Sequence, residues 1–429
     1  MASEWQVVTL GEIAEIYDGP HATPKKTDSG PIFLGISNLA GGRLDLTTTE
    51  HVSPEDFQRW TRRVTPQPGD IVFSYETRLG EAAIIPDGLT CCLGRRMGLL
   101  RAKRDRVDPR FLLYAYLGDE FQHTIRARTV YGSTVDRIPL LEMPQFPIRI
   151  PPLAEQRAIA HILGTLDDKI ELNRRMNETL EAMARALFKS WFVDFDPVRA
   201  KAEGRDPGLP PHIADLFPDS FEDSELGEIP RGWRVQSLDT VARFVNGLAL
   251  SKYPAKNGCS LPVIKIAQLR AGHTRGADVA SAELDPDYIV EDGDVLFSWS
   301  GTLECVIWAG GTGALNQHIF KVTSAEYPKW FYYFWIHHHL PEFRHIAAGK
   351  ATTMGHIQRH HLSDAKVLVP PAKSLNVFSR LMEPWIDALL RRRIESRTLA
   401  ALRDTLLPKL ISGELRVKDA ERFLERVAS

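Results

Sequence analysis

Nine of the fourteen histidines lie between His273 and His361, so metal ligation is the first chemistry to weigh. His337, His338 and His339 are consecutive in an aromatic, helix-forming stretch, where successive side chains point in different directions and cannot close on one ion. His356 and His360 have the i,i+4 spacing of two ligands on a helix, but no HExxH glutamate stands between them, which favours packing or polar roles. Cys91, Cys92, Cys259 and Cys305 form no CxxC pair and read as reduced, packing thiols. No GxxxxGK[ST] phosphate loop is present, and Gly310-Gly-Thr-Gly313 lacks the strand-to-helix setting of a dinucleotide site. Asp285-Pro-Asp-Tyr288 stands without a cofactor motif ahead of it and reads as a turn. Asp194 and Asp196 lack the lysine of a nuclease core and suit a helix end. The chain therefore reads as a binder rather than a catalyst.

A length of 429 residues, 43% of them hydrophobic, gives room for several ordinary cores. No run approaches the roughly 20 apolar residues of a membrane span, and the opening MASEWQVVTLGE lacks the regions of a signal peptide, so the expected compartment is the cytoplasm. A net charge of -2 gives no bulk basic footprint. Local basic runs do occur, at Arg62-Arg63, from Arg95 to Arg110, and at Arg391-Arg392-Arg393.

An internal repeat organises the chain. Trp5-Gln-Val-Val-Thr-Leu10 matches Trp233-Arg-Val-Gln-Ser-Leu238, with Gly19 against Gly247, and Gly69-Asp-Ile-Val-Phe-Ser-Tyr75 matches Gly293-Asp-Val-Leu-Phe-Ser-Trp299. From Pro109, matched with Pro328, a single register runs through Thr134 with Thr353, Pro151-Pro152 with Pro370-Pro371, and Leu187 with Leu406. Duplication at such a distance means two copies of one structural unit.

Within each copy, VVTLGEIAEIY, PIFLGISNL, DIVFSY and AAIIP, and their counterparts, read as short strands bounded by turn residues. Pro109 to Phe121 and Pro328 to Phe343 read as helices. After Pro152 the apolar period changes. Ile159, Ile162, Leu166, Lys169, Asn173, Met176, Leu180, Met183 and Leu187 follow alternating spacings of three and four, as do Phe378 to Leu406 in the second copy. Each stripe needs a partner, and the other copy's helix is the economical one, giving a coiled coil of about 35–40 residues, or roughly 55 Å. The stretch 196–230, rich in Pro, Gly and charge, reads as a linker.

The opening after Trp5, the GDIVFSY and GDVLFSW strands, IPPLAEQRAIAHIL from Ile150 to Leu163, ELGEIPRGW from Glu225 to Trp233 and LLPKLISGEL from Leu406 to Leu415 together resemble the specificity subunit of type I restriction-modification systems. The second helix departs from that pattern, opening with PPAKSLN. The resemblance implies an α+β fold, with two repeated mixed α/β target-recognition domains at 1–150 and 231–370. Two long antiparallel helices, 151–195 and 371–413, would form the coiled coil, with the linker at 196–230 and a tail at 414–429.

It also implies a protein without catalysis or cofactor of its own. Each domain would read one half of a split target in double-stranded DNA. The helices would set the spacer and dock two methyltransferase subunits that use S-adenosylmethionine, and restriction subunits using ATP and Mg²⁺ would join them. A stand-alone nuclease or methyltransferase and a purely structural scaffold are the competing classes. Arginine suits guanine and glutamine suits adenine in the major groove. Candidate DNA contacts are Arg78, Arg95, Arg96, Arg126, Arg128, Thr134 and Arg137 in the first copy, and Gln317, His318, Lys350 and Thr353 in the second. Tyr75 and Trp299 are expected to pack in the core.

Overall fold

The structure is a computed structural model that describes residues 5–21, 23–132, 135–255, 258–349, 355–420 and 422. It divides into two compact units, Met1–Lys169 with Leu399–Ser429, and Ile170–Thr398. Thr134, Lys350 and Thr353 lie outside the described residues.

In the first unit, Gln6–Thr9 pairs antiparallel with Pro147–Ile150, which brings the two ends of the module together. Between them, a four-stranded antiparallel sheet runs in the order Ala14–Asp18, Met97–Ala102, Ile71–Ser74, Ala82–Ile84. A second sheet places Thr27–Leu34 between Glu50–His51 and Cys91–Leu93, the latter pair parallel. The helices Pro109–Leu117 and Asp119–Arg128 cover the four-stranded sheet, and Asp108 caps the first by accepting from the Arg110 and Phe111 amides at 3.0 and 3.1 Å. Phe73, Phe111, Tyr116 and Phe146 are fully buried where helices meet sheet.

The second unit repeats the paired ends and the four-stranded sheet, while its other sheet has four strands instead of three. Arg234–Ser237 pairs with Lys366–Val369, and a four-stranded sheet runs Arg243–Asn246, Ile319–Thr323, Val295–Ser298, Cys305–Ile307. Ser260–Ile264 again has a parallel neighbour, Gly313–Leu315. A single helix, Lys329–Ala348, replaces the broken pair and buries Trp330, Phe331, Phe334 and Ile336.

Three local readings change. The segments read as continuous strands from Val7 and Val235 are interrupted by helical turns, Leu10–Ile13 and Leu238–Val241. In the first, Glu12 accepts from the Thr9 amide at 2.6 Å and from the Thr9 hydroxyl at 2.9 Å, a capping arrangement that outweighs the strand preference of the flanking valines. The 196–230 segment is folded, with helices Asp196–Ala202 and Pro211–Ala214 and the hairpin Phe221–Ser224/Gly227–Pro230. Four of its apolar residues, Val198, Ile213, Phe217 and Ile229, are buried in the second unit's core, which composition averaged over the stretch conceals. The third change concerns the helical seam.

The two long helices are Leu153–Phe192 and Ala372–Ile411, and they pack together in antiparallel fashion. In the first unit Asp167 pairs with Arg403 while Glu155, earlier in one helix, pairs with Arg416, beyond the end of the other. In the second unit Asn173 donates to Glu395 at 2.8 Å and Asn177 to the Leu389 carbonyl at 3.3 Å. Ile159, Ile162, Leu166 and Asn173 are buried as the seam requires, but Lys169 is exposed, and Met176 and Met183 are 38% and 51% exposed. Beyond Asn173 the buried stripe advances one residue, to Asn177, Ala184 and Phe188. A helix of 3.6 residues per turn drifts against a strict heptad in that direction when it does not supercoil to compensate.

Candidate nucleic-acid interface

One end of each four-stranded sheet is built on the same set of backbone hydrogen bonds. In the first unit Asp18 lies opposite Gly98 and Ser74 opposite Met97; in the second Asn246 lies opposite Phe320 and Ser298 opposite Ile319. Past the strand ends the Tyr75 amide donates to the Arg96 carbonyl at 3.2 Å, and the Trp299 amide to the His318 carbonyl at 3.3 Å. The Tyr75 and Trp299 carbonyls accept from Ile138 and Ile357 at 2.9 and 3.0 Å. Bridges Glu76–Arg137 and Ser300–His356 complete the two frames.

Each frame depends on a glycine at close quarters. A Cβ on Gly19 would lie 2.4 Å from the Met97 carbonyl oxygen, and one on Gly247 2.2 Å from that of Asn316. Backbone cannot yield as a flexible side chain can, and this explains why the repeat keeps both residues.

The side chains carried by these matching frames differ in chemistry. In the first, Arg96 Nε lies 2.9 Å from Glu76 Oε2, and its Nη1 donates to Thr77 Oγ1 at 3.3 Å. Thr77 and Arg96 both have left-handed backbone, with φ of 67° and 72°. Arg95 is exposed and makes no hydrogen bond or ion pair among the described residues. In the second frame the corresponding pair is an imidazole and a hydroxyl: His318 Nδ1 lies 2.9 Å from Ser300 Oγ. Gln317 occupies the Arg95 position, within 3.3 Å of Asn316 Nδ2.

Tyr75 is buried in the core, where burial first and the neighbouring Asp18 second push its hydroxyl well above its ordinary value. Trp299 is only half-buried. Its indole N–H donates to Asn246 Oδ1 at 2.9 Å and to the Gln317 carbonyl at 3.1 Å, and its ring packs near His318 and His356. Core packing thus describes Tyr75, whereas Trp299 belongs to the frame's polar edge.

The structure gathers Arg95, Arg96 and Arg137 at one end of the first sheet, and Gln317 and His318 at the matching end of the second. Arg78 follows the Tyr75 strand but is held by Glu81 at 2.6 Å and by the Ile36 carbonyl at 3.2 Å. Arg126 and Arg128 end the Asp119–Arg128 helix and make no bond to the Arg96 group; Arg128 lies over the Phe146 ring at 5.7 Å. Sequence reasoning passed over Asp18, Glu76, Asn246 and Ser300, and gave His356 only a packing or polar role. The aligned glycines at 19 and 247 were the available signal for Asp18 and Asn246, being their next neighbours.

His337 is a half-buried packing group beside the Tyr333 ring, and its desolvation pushes it down to about 4, which keeps it neutral near pH 7. Burial likewise pushes the Cys91 and Cys92 thiols up to about 12. Among the described residues no cluster of three or more His, Cys, Asp or Glu is arranged to hold a metal, and no helix is long and apolar enough to cross a membrane.

Residues 2–182 and 230–395 both match the family of the type I restriction modification DNA specificity domain. The chain belongs to that family. The two matches fall on the two repeats, so each frame lies in its own specificity domain. Among characterised relatives, the HindI specificity subunit of Haemophilus influenzae is 25% identical over 81% of this chain and 86% of its own length. The MjaIX specificity subunit of Methanocaldococcus jannaschii is 23% identical over 97% and 94%. The type I S subunit of M. genitalium shares the fold, with a TM-score of 0.54 at 15% identity over 95% of this chain and 96% of that one.

Proposed function

We propose that each specificity domain presents its frame to one half of a bipartite target in double-stranded DNA. The observation carrying this reading is the pair of matching backbone frames with exchanged side chains: Arg95 and Arg96 in one, Gln317 and His318 in the other. A bidentate guanidinium matches the guanine O6/N7 edge and a carboxamide the adenine N6/N7 edge, so the two domains read different bases from one architecture. Arg137 contributes to the first frame. Arg78, Arg126 and Arg128, with Thr134, Lys350 and Thr353, are proposed as phosphate contacts that position the duplex.

The chain itself is non-catalytic and works in the cytoplasm. The long helices set the spacer and dock two methyltransferase subunits, whose cofactor is S-adenosylmethionine; restriction subunits bring ATP and Mg²⁺. Exposed Leu172, Met176 and Met183 on the first long helix give such a partner an apolar edge to cover.

Methylome sequencing tests the reading. Deleting the gene should abolish one bipartite methylated motif, and exchanging residues 1–150 for those of a relative should change one half of it alone. A motif that survives deletion, or one altered in both halves by the exchange, overturns the proposal.

A further inference from the structure

The first domain carries a cleft that the repeat does not duplicate. Between Ser53 and Gly69 the chain takes twice as many residues as between Asp285 and Gly293, although both stretches begin with a capped Pro, at Pro54 and Pro286. The added length forms the helix Pro54–Trp60 and the loop after it. That loop is anchored from beneath: Arg101 donates to the Thr65 carbonyl at 2.9 Å and pairs with Asp70 at 2.7 Å, and Val64 is buried. What the loop presents outward is basic.

Arg59, Arg62, Arg63, His21, Trp60 and Asp18 line a cleft of about 400 Å³. Its single carboxylate, Asp18, is already engaged by His21 at 2.8 Å and lies 3.6 Å from Arg63. Arg59 rests over the Trp60 ring at 5.6 Å and Arg62 is exposed; neither has a carboxylate partner among the described residues. The Trp60 indole N–H is buried with no acceptor. Asp18 and Gly19 belong to both the cleft and the Arg96 frame, so the two adjoin.

We propose that this cleft holds a phosphodiester phosphate of the DNA whose bases the first frame reads, a clamp possessed by the first domain alone. The inference rests on the DNA-reading function proposed above. A phosphate oxygen supplies the acceptor that Arg59, Arg62 and the Trp60 N–H lack, and such an interaction adds affinity without sequence information. The second domain's cleft beside Asn246 is lined by Arg243 and Arg359, but also by Asp239 and Glu326, and Arg243 is paired with Asp287 at 2.5 Å. Its charge is spent internally.

The test is the salt dependence of DNA binding by the full chain assembled with its methylating partners. Arg62→Ala with Arg63→Ala should flatten the slope of log K against log salt by about 2, roughly one for each arginine that no longer neutralises a phosphate, and leave the methylated motif unchanged. Arg62→Gln alone, at a side chain with no bond to break, should flatten it by about 1. Arg243→Ala should leave it as it was.

An unchanged slope in the Arg62 and Arg63 variants overturns the clamp, as does a changed motif, which would make these arginines base readers. Binding of a nucleoside triphosphate by the chain without DNA, abolished in the double variant, would reassign the cleft to a free nucleotide and overturns it too. Failure of the unaltered complex to bind its target at all would instead sink the underlying function.

Discussion

Removing the Asp167 carboxylate tests how the first domain is fastened to both long helices. Asp167 sits on the first of them with 19% of its side chain exposed, and receives Arg43 from the short strand Arg43–Leu44 at 2.6 Å. It also receives Arg403 from the second long helix at 2.7 Å and the Tyr114 hydroxyl at 2.7 Å. Burial pushes this carboxyl up, but Arg43 and Arg403, with the bonds from Arg403 and Tyr114, hold it below the usual carboxylate range.

In Asp167→Ala the buried Tyr114 hydroxyl loses its acceptor, whereas Arg403 keeps Asp404 at 2.7 Å and Arg43 keeps the residue-167 carbonyl at 2.9 Å. Breaking a buried ion pair costs about 3–5 kcal/mol, and these surviving bonds place the loss near the lower end, about 3 kcal/mol. Asp167→Asn keeps an acceptor for Tyr114 and should cost roughly half as much. The assay is amide hydrogen exchange. Amides of 159–169 and 399–410 should exchange about a hundredfold faster in the alanine variant, while those of 200–390 keep their protection. Because the folded carboxyl is depressed, its stabilisation is present above the unfolded value of about 3.9 and is lost as pH falls below it. The gap between parent and variant should therefore hold above about pH 4 and narrow progressively as pH falls further. Unchanged exchange, or acceleration spread equally over both units, refutes the account.

Arg95→Ala should relax the first half of the methylated motif at one base pair and Gln317→Ala the second half at one, each by about 1–3 kcal/mol of discrimination; a variant that alters the opposite half contradicts the assignment. Asn177→Leu should raise thermal stability by about 1 kcal/mol, since the Asn177 side chain is 7% exposed and its Oδ1 has no partner; a lowered melting temperature would give that asparagine a structural purpose. Thr77→Gly should change stability by less than about 1 kcal/mol, because relief of the positive φ offsets the added freedom of the unfolded chain, yet it should weaken recognition of the first half-site by freeing Arg96. Unaltered methylation kinetics in that variant would remove Thr77 from the recognition frame.

The duplication and the long helices were legible because both are patterns over many residues. The apolar spacing from Ile159 to Leu187 persists for about eight turns, and no single residue decides it. The drift of the seam at Met176 and Met183 was not legible, since a 3.5-residue and a 3.6-residue stripe differ by one position only after several turns. The recognition frames were half legible. Arg95-Arg96 and Gln317-His318 stand out by residue type, but Asp18, Glu76, Asn246 and Ser300 enter through strand register between segments some 20 to 80 residues apart. Nothing local to those residues announces the pairing. The folded 196–230 stretch was masked for a different reason: its buried residues are few and spaced among prolines and charges, so their contribution depends on a core built elsewhere in the sequence.

The two frames share one further position, and it explains how a single architecture carries two readings. Gly301 stands where Thr77 stands in the first domain, and its φ of 65° matches Thr77's 67°. The turn demands left-handed backbone in both copies; glycine meets that demand at no steric cost, and threonine at a cost of about 1–3 kcal/mol. The first domain bears this cost where the threonine hydroxyl meets Arg96, whereas the second, whose His318 is held by Ser300, needs no side chain there. Because the frames themselves are held by main-chain bonds, from Tyr75 and Trp299 to Arg96 and His318, their side chains are free to differ without loss of fold. Between the two frames, left-handed backbone at non-glycine residues is found in the first, at Thr77 and Arg96, and it marks that frame as a place where stability has been given up to orient an arginine.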